Sequence, residues 1–208
     1  MFKDRREAGK KLASILQQYN GAHNTLVLGL PRGGVIVAAE VAKMLQLPLD
    51  ITCPRKITAP DSPEYAIGAV SESGDVCLNQ EAIHAYGISA SYIQHAVAEE
   101  TARAQMRLHK YRIDKPVRQI KDRCIMLVDD GLATGFTMLA AIKGVKQAGA
   151  SKIIVAVPVG PIDTLEMIKK EVNECYCLFT PFSFFAVGEF YEHFQQTTDE
   201  EVMDALNF

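Results

Sequence analysis

CIMLVDDGLATGFTM, residues 124–138, joins an apolar run to two adjacent acids, Asp129 and Asp130, and then to a small, hydroxylated, glycine-containing tail. The apolar half reads as a buried β-strand, and FTMLAAIKGVKQAG, residues 136–149, reads as a helix ended by Gly149. Between them, the two acids with Gly131, Thr134, Gly135 and Thr137 are poor packing material. They suit a small polar ligand.

The same alternation extends in both directions. Residues 4–19 place Ala8, Leu12, Ile15, Leu16 and Tyr19 at helical spacing, with Asp4 as a candidate N-cap. TLVLGL, residues 25–30, reads as a strand stopped by Pro31, residues 34–45 as a helix, and LPLDITCPRKI, residues 47–57, as the next strand. Residues 58–79 carry prolines, turn formers and two short strand-like runs, which predicts a loop followed by a small hairpin. Residues 89–111 lack Pro and Gly and predict a long helix with a polar face, which Pro116 helps to close. Residues 152–159, 163–172 and 174–179 read as strand, helix and strand. Apolar strands separated by helices imply a parallel β-sheet with helices on both faces, an α/β fold.

With 208 residues, 48% of them hydrophobic and 23% charged, the chain can form one sizeable core, and one domain over residues 1–208 is the expectation. A net charge of -3 carries no basic footprint, so no nucleic-acid partner is expected. No apolar run approaches a bilayer span and no signal-peptide pattern opens the chain, so a cytoplasmic protein with no membrane association is expected. The five cysteines lack zinc-site spacing and read as reduced structural thiols. The histidines form no defensible ligand set.

In an open α/β sheet, ligands bind beyond the carboxyl ends of the strands. Both polar interruptions lie there: GLPRGGV after the first strand, and DDGLATGFT after the strand ending at Val128. Backbone N–H groups at the start of the second helix can converge on a phosphate, with hydroxyls from Thr134 and Thr137 beside them. Asp129 and Asp130 would repel that phosphate and call for sugar hydroxyls or hydrated magnesium. A phosphorylated sugar satisfies both. The ATP-type P-loop, the G-x-G-x-x-G turn and the G-x-S-x-G elbow are all missing from the sequence. Phospho-receiver domains also place paired acids after a strand, but they do not account for a glycine–threonine cradle. TPFSFFAVGEFYEHF, residues 180–194, packs five phenylalanines into a short span, a pattern more often core than binding surface.

Residues 124–138 resemble the phosphoribosyl-pyrophosphate (PRPP) signature of type I phosphoribosyltransferases. LGLPRGG, PRKITAPDSPEYAIGAV and FFAVGEFYEHFQQTTDEEV extend the resemblance to an uncharacterised bacterial and archaeal branch of that family, over nearly the whole chain. The resemblance implies a small hood, built from the chain ends or the 66–112 region. It implies that Asp129 and Asp130 hold the ribose hydroxyls and, indirectly, Mg2+. Leu132, Ala133, Thr134, Gly135, Phe136 and Thr137 would cradle the 5-phosphate, and Phe136, bulkier than the small residue common there, would alter pocket shape. Pro31, Arg32 and Gly33 would form the pyrophosphate loop, which in this family often contains a non-proline cis peptide. Arg55 and Lys56 would complete the pyrophosphate contacts and act in catalysis, with residues 57–65 as a mobile loop. One aromatic of residues 180–194 would stack on a planar acceptor. The implied reaction transfers phosphoribosyl from PRPP to a base that the sequence does not identify. A regulator that binds PRPP or a nucleotide with little turnover stays open, as does a homodimer. Phosphohydrolase activity would need a positioned water for which no residues are evident.

Overall fold

Five short apolar segments lie side by side in a parallel sheet: β1 (Thr25–Gly29), β2 (Leu49–Ile51), β6 (Cys124–Val128), β7 (Lys152–Val159) and β8 (Glu174–Phe179), in the order β2-β1-β6-β7-β8. The computed structural model describes residues 1–60, 62–113 and 117–207. Because successive residues of a strand point to opposite faces, each strand feeds two cores. Val27, Met126, Val128, Ile154 and Ala156 pack under α1 (Arg5–Ser14) and α2 (Gly33–Met44). Leu26, Leu28, Ile125, Leu127, Val155 and Val157 pack under α5 (Phe136–Gln147) and α6 (Ile162–Lys169). The expected parallel sheet with helices on both faces is the observed one.

The strand expected over residues 47–57 divides in two. Its first half is β2; the chain then leaves the sheet at residues 52–54 and begins β3 (Arg55–Ala59), which joins β4 (Ser62–Val70) and β5 (Val76–Leu78) in a separate antiparallel sheet. The Glu72 carboxylate accepts from Thr52 Oγ1 at 2.9 Å and from the Cys53 N–H at 3.1 Å, which holds the departure in place. Pro54 has no N–H with which to prolong a ladder. The segment expected as a loop, residues 57–65, instead forms most of the β3–β4 hairpin, with register shifts on both sides of Thr58. Asp61 within it, and Pro116, expected to close the long helix, lie outside the described residues.

The long helix is α4 (Ala90–Tyr111), capped by the Ser89 hydroxyl, which accepts from the Tyr92 N–H at 3.2 Å. With α3 (Gln80–Ala85) it covers the small sheet around Ile57, Ile67 and Val70. Its far end is pinned to β2, where Asp50 accepts from Arg112 Nε and Nη2 at 3.0 Å each. A last helix, α7 (Asp199–Ala205), which the periodicity did not reveal, packs Val202 against Ile51 and Tyr111. The chain ends meet: the Phe2 N–H donates to the Phe190 carbonyl at 2.7 Å and the Glu192 N–H to the Phe2 carbonyl at 2.8 Å. Among the described residues, no helix is long and apolar enough to cross a membrane.

Candidate active site

β1 and β6 are neighbours in register, Gly29 opposite Val128, so the loops leaving them emerge at one level. The helices that follow go to opposite faces, which opens a crevice between them. Glycine lets the loops touch: a Cβ on Gly34 would stand 2.6 Å from Asp129 Oδ1, and one on Gly33 would collide with Asp130 Oδ2. The Pro31–Arg32 peptide bond in this turn is cis.

Asp129 and Asp130 are partly buried at the end of β6. Asp129 Oδ1 accepts from the Asp130 N–H at 2.8 Å, yet burial and the neighbouring Asp130 charge push the Asp129 carboxyl well above the ordinary range. Burial raises Asp130 as well, against the opposing pull of Arg5. Arg5 Nε donates to Asp130 Oδ2 at 2.7 Å, its Nη1 donates to the Gln195 carbonyl at 2.8 Å, and its guanidinium lies 3.8 Å from the centre of the Phe194 ring. The buried Tyr191 hydroxyl donates to the Asp130 carbonyl at 2.6 Å, and burial raises its pKa.

Both acids line a cavity of about 270 Å³ together with Lys56 and the loop of Gly131, Leu132, Ala133, Thr134 and Gly135. Thr137 and Met138 continue the wall, and Val187, which lies against Gly131, and Phe194 complete it. Gly135 precedes α5 with φ +79°, and a Cβ there would meet Thr164 Cγ2 at 2.7 Å. The same Thr164 donates through Oγ1 to the Ala133 carbonyl at 2.7 Å, which turns that oxygen toward α6. Phe136 and Thr137 begin α5, where N–H groups have no intrahelical acceptor and the helix dipole is positive. The arrangement can receive an anion.

Two members of the expected phosphate loop are placed differently from the rest. Leu132 is buried and its N–H donates to the Val159 carbonyl at 2.8 Å, so that donor is already committed. The Phe136 side chain lines another hollow, beside Leu139 and Met167, and therefore leaves the shape of the acid cavity alone. The expected basic residues also separate. Lys56 faces the acids, Arg55 Nε pairs with Glu100 Oε2 at 2.5 Å, and Arg32 Nη1 lies 3.9 Å from Asp199 Oδ1. Among the described residues, no group of three or more His, Cys, Asp or Glu gathers to hold a metal.

Arg5 and Val187 were not foreseen, nor was the contact of the Tyr191 hydroxyl with Asp130. Arg5 meets Asp130 across a sequence separation of 125, and an arginine in an amphipathic helix gives no sign of such a partner. Phe194 belongs to the aromatic span whose core reading is half right. Phe184, Phe190 and Phe194 pack with Phe2 and Tyr191, Phe182 and Phe185 are exposed, and Phe194 also presents itself to the cavity.

Comparison with known proteins agrees with this geometry. A family model described as phosphoribosyl transferase domain matches residues 1–192. Two Mycobacterium tuberculosis proteins, from strains CDC 1551 / Oshkosh and ATCC 25618 / H37Rv, are provisionally named phosphoribosyl transferases and are each 41% identical over 207 residues. The match takes in 100% of this chain and 46% of theirs, so the chain spans about half the length of these relatives. The crystal structure of the protein TT1426 from Thermus thermophilus superposes with a TM-score of 0.81 at 42% identity, covering 99% of this chain and 97% of that one. Two loops leaving adjacent parallel strands, paired acids above a helix N-terminus, and a family match over most of its length go together in this chain, which belongs to the phosphoribosyltransferase family.

Proposed function

We propose that the protein transfers the 5-phosphoribosyl group of PRPP to a nitrogenous acceptor and releases pyrophosphate. One observation carries this reading: a single cavity brings together the paired acids, the open start of α5 and the Lys56 ammonium. Asp129 and Asp130 would hold the ribose hydroxyls, while the N–H groups of Ala133, Thr134, Gly135, Phe136 and Thr137 would cradle the 5-phosphate. Pro31, Arg32 and Gly33 would face the pyrophosphate, Arg32 after exchanging Asp199 for the ligand and Arg55 after exchanging Glu100.

In the transfer, the bond from C1 to the pyrophosphate oxygen breaks with its electron pair staying on pyrophosphate. The acceptor nitrogen supplies the pair for the new C1–N bond and gives up its proton to solvent. The sugar is cationic at the crest of this exchange, so the carboxylates stabilise it from one side while Lys56 offsets charge on the leaving group. The donor set fits magnesium only in a shared role: two carboxylates, one already held by Arg5, suit an ion that keeps water and PRPP oxygens around it. Bound there, Mg2+ would supply charge neutralisation on the pyrophosphate.

The acceptor would enter against Val187 and Phe194, whose ring already lies under the Arg5 guanidinium and 4.9 Å from the Tyr191 ring centre. This wall, with the chain ends that support it and the 66–112 region, is where a single domain over residues 1–208 would carry its hood. The test is pyrophosphate release measured over a panel of purine, pyrimidine and nicotinate-like bases with PRPP and Mg2+. A second reading, a regulator that binds PRPP or a nucleotide with little turnover, is favoured by the internal pairing of Arg32 and Arg55. PRPP binding without release for every base would decide for that regulator.

A further inference from the structure

Arg5 sits in the first turn of α1, where a cation works against the helix dipole, so helix formation gives no reason for it. Its reason lies in what it touches. The side chain is 12% exposed and makes three directed contacts at once: Asp130 through Nε, the Gln195 carbonyl through Nη1, and the Phe194 ring through the guanidinium plane. A planar fork can satisfy two oxygens in its plane and a ring on its face, which an ammonium cannot. Phe194 and Asp130 line the cavity and Arg5 does not, so the guanidinium stands behind the wall. The turn after β1 closes over the same pair, since a Cβ on Gly33 would run into Arg5 Nε as well as Asp130. The start of α1 is fixed against the wall segment by the Phe2 pairing and by the His193 N–H, which donates to the Lys3 carbonyl at 3.0 Å.

We infer that Arg5 is a positioning residue that couples the acid holding the ribose to the ring receiving the acceptor, so that the donor and acceptor halves of the site are set by one guanidinium. The inference rests on the PRPP-transfer reading. Arg5 touches neither substrate; it transmits the position of Asp130 to Phe194, and its loss misaligns two bound partners rather than releasing one.

The test uses the full chain carrying fluorophenylalanine, with the Phe194 resonance assigned by Phe194→Leu. Asp130→Asn is expected to displace that resonance in the presence of Arg5 and to leave it nearly still in an Arg5→Gln background, with Arg5→Lys restoring part of the response. Equal displacement in all backgrounds overturns the coupling. Calorimetry and turnover with Mg2+ and PRPP form the second arm: Arg5→Gln should change PRPP affinity by less than about 3-fold and lower turnover by about 10-fold or more. Equal losses in the two would also overturn it. If the unsubstituted protein fails to bind PRPP, the transfer reading falls, while the resonance arm still decides whether Arg5 links Asp130 to Phe194.

Discussion

At the amino end of the central sheet, Glu174 of β8 accepts from the hydroxyls of Tyr19 and Tyr176 at 2.5 Å each and pairs with Lys152. These partners, Lys152 foremost, hold its carboxyl down at about 2. At the carboxyl end, Asp129 and Asp130 have mainly each other and Arg5, and burial raises both. The contrast separates two uses of a carboxylate. Glu174 is complete without a ligand and contributes to folding; the acid pair is incomplete and holds in reserve what a ligand would release.

The sharpest way to break this contrast is to neutralise the incomplete end. Asp129→Asn with Asp130→Asn should lower Mg2+-dependent PRPP affinity by about 100-fold or more, while the melting temperature stays level or rises. Unchanged affinity by calorimetry would take the acids out of the site. Next in size, Lys56→Ala should reduce turnover by roughly 10- to 100-fold and PRPP affinity by much less, because in the proposed transfer its charge would be needed most as pyrophosphate departs. Gly33→Ala forces a methyl group onto the Arg5–Asp130 pair and should cost roughly 1–3 kcal/mol of stability, together with PRPP binding. A fully stable variant in urea would mean that the loop yields freely.

The smallest effect belongs to the complete end. Glu174→Gln should cost about 1 kcal/mol at neutral pH and leave PRPP affinity alone, the figure kept low by a side chain 32% exposed. The pH dependence has a definite sign. A carboxyl lowered from 4.5 to about 2 on folding contributes above pH 4.5 and loses that contribution as pH falls toward 2. Urea melts of the two proteins should therefore differ near neutrality and converge near pH 2, and a gap that widens in acid would contradict the assignment.

Much of the sheet was legible because strands buried on both faces leave continuous apolar runs, and residues 152–159 and 174–179 fold as read. The break between β2 and β3 was hidden, since Thr52 and Cys53 look strand-like and the group that draws them away, Glu72, lies further along the chain. The acids and the start of α5 were legible because they are contiguous in sequence. Arg32 and Arg55 were expected at the site from the resemblance of the segments around them, which concerns their place along the chain; their side chains go to Asp199 and Glu100, and no local pattern announces those partners. Arg5 and Tyr191 reach the site only through the meeting of the chain ends.

That meeting has a further consequence. The loops that carry Arg32 and the acids stand on the registered pair β1 and β6, whereas Val187 and Phe194 belong to the segment after β8, which is hydrogen-bonded to Phe2 and Lys3. The two halves of the cavity are nevertheless tied together, by the Tyr191 hydroxyl on the Asp130 carbonyl, by Arg5 on the Asp130 carboxylate, and by packing of Tyr191 and Val187 on Val159 of β7. Residues 180–196 and residues 2–5 are therefore a unit: a graft that changes what enters the cavity has to carry both segments and preserve Arg5 and Tyr191, the two side chains by which the wall grips the acid-bearing strand.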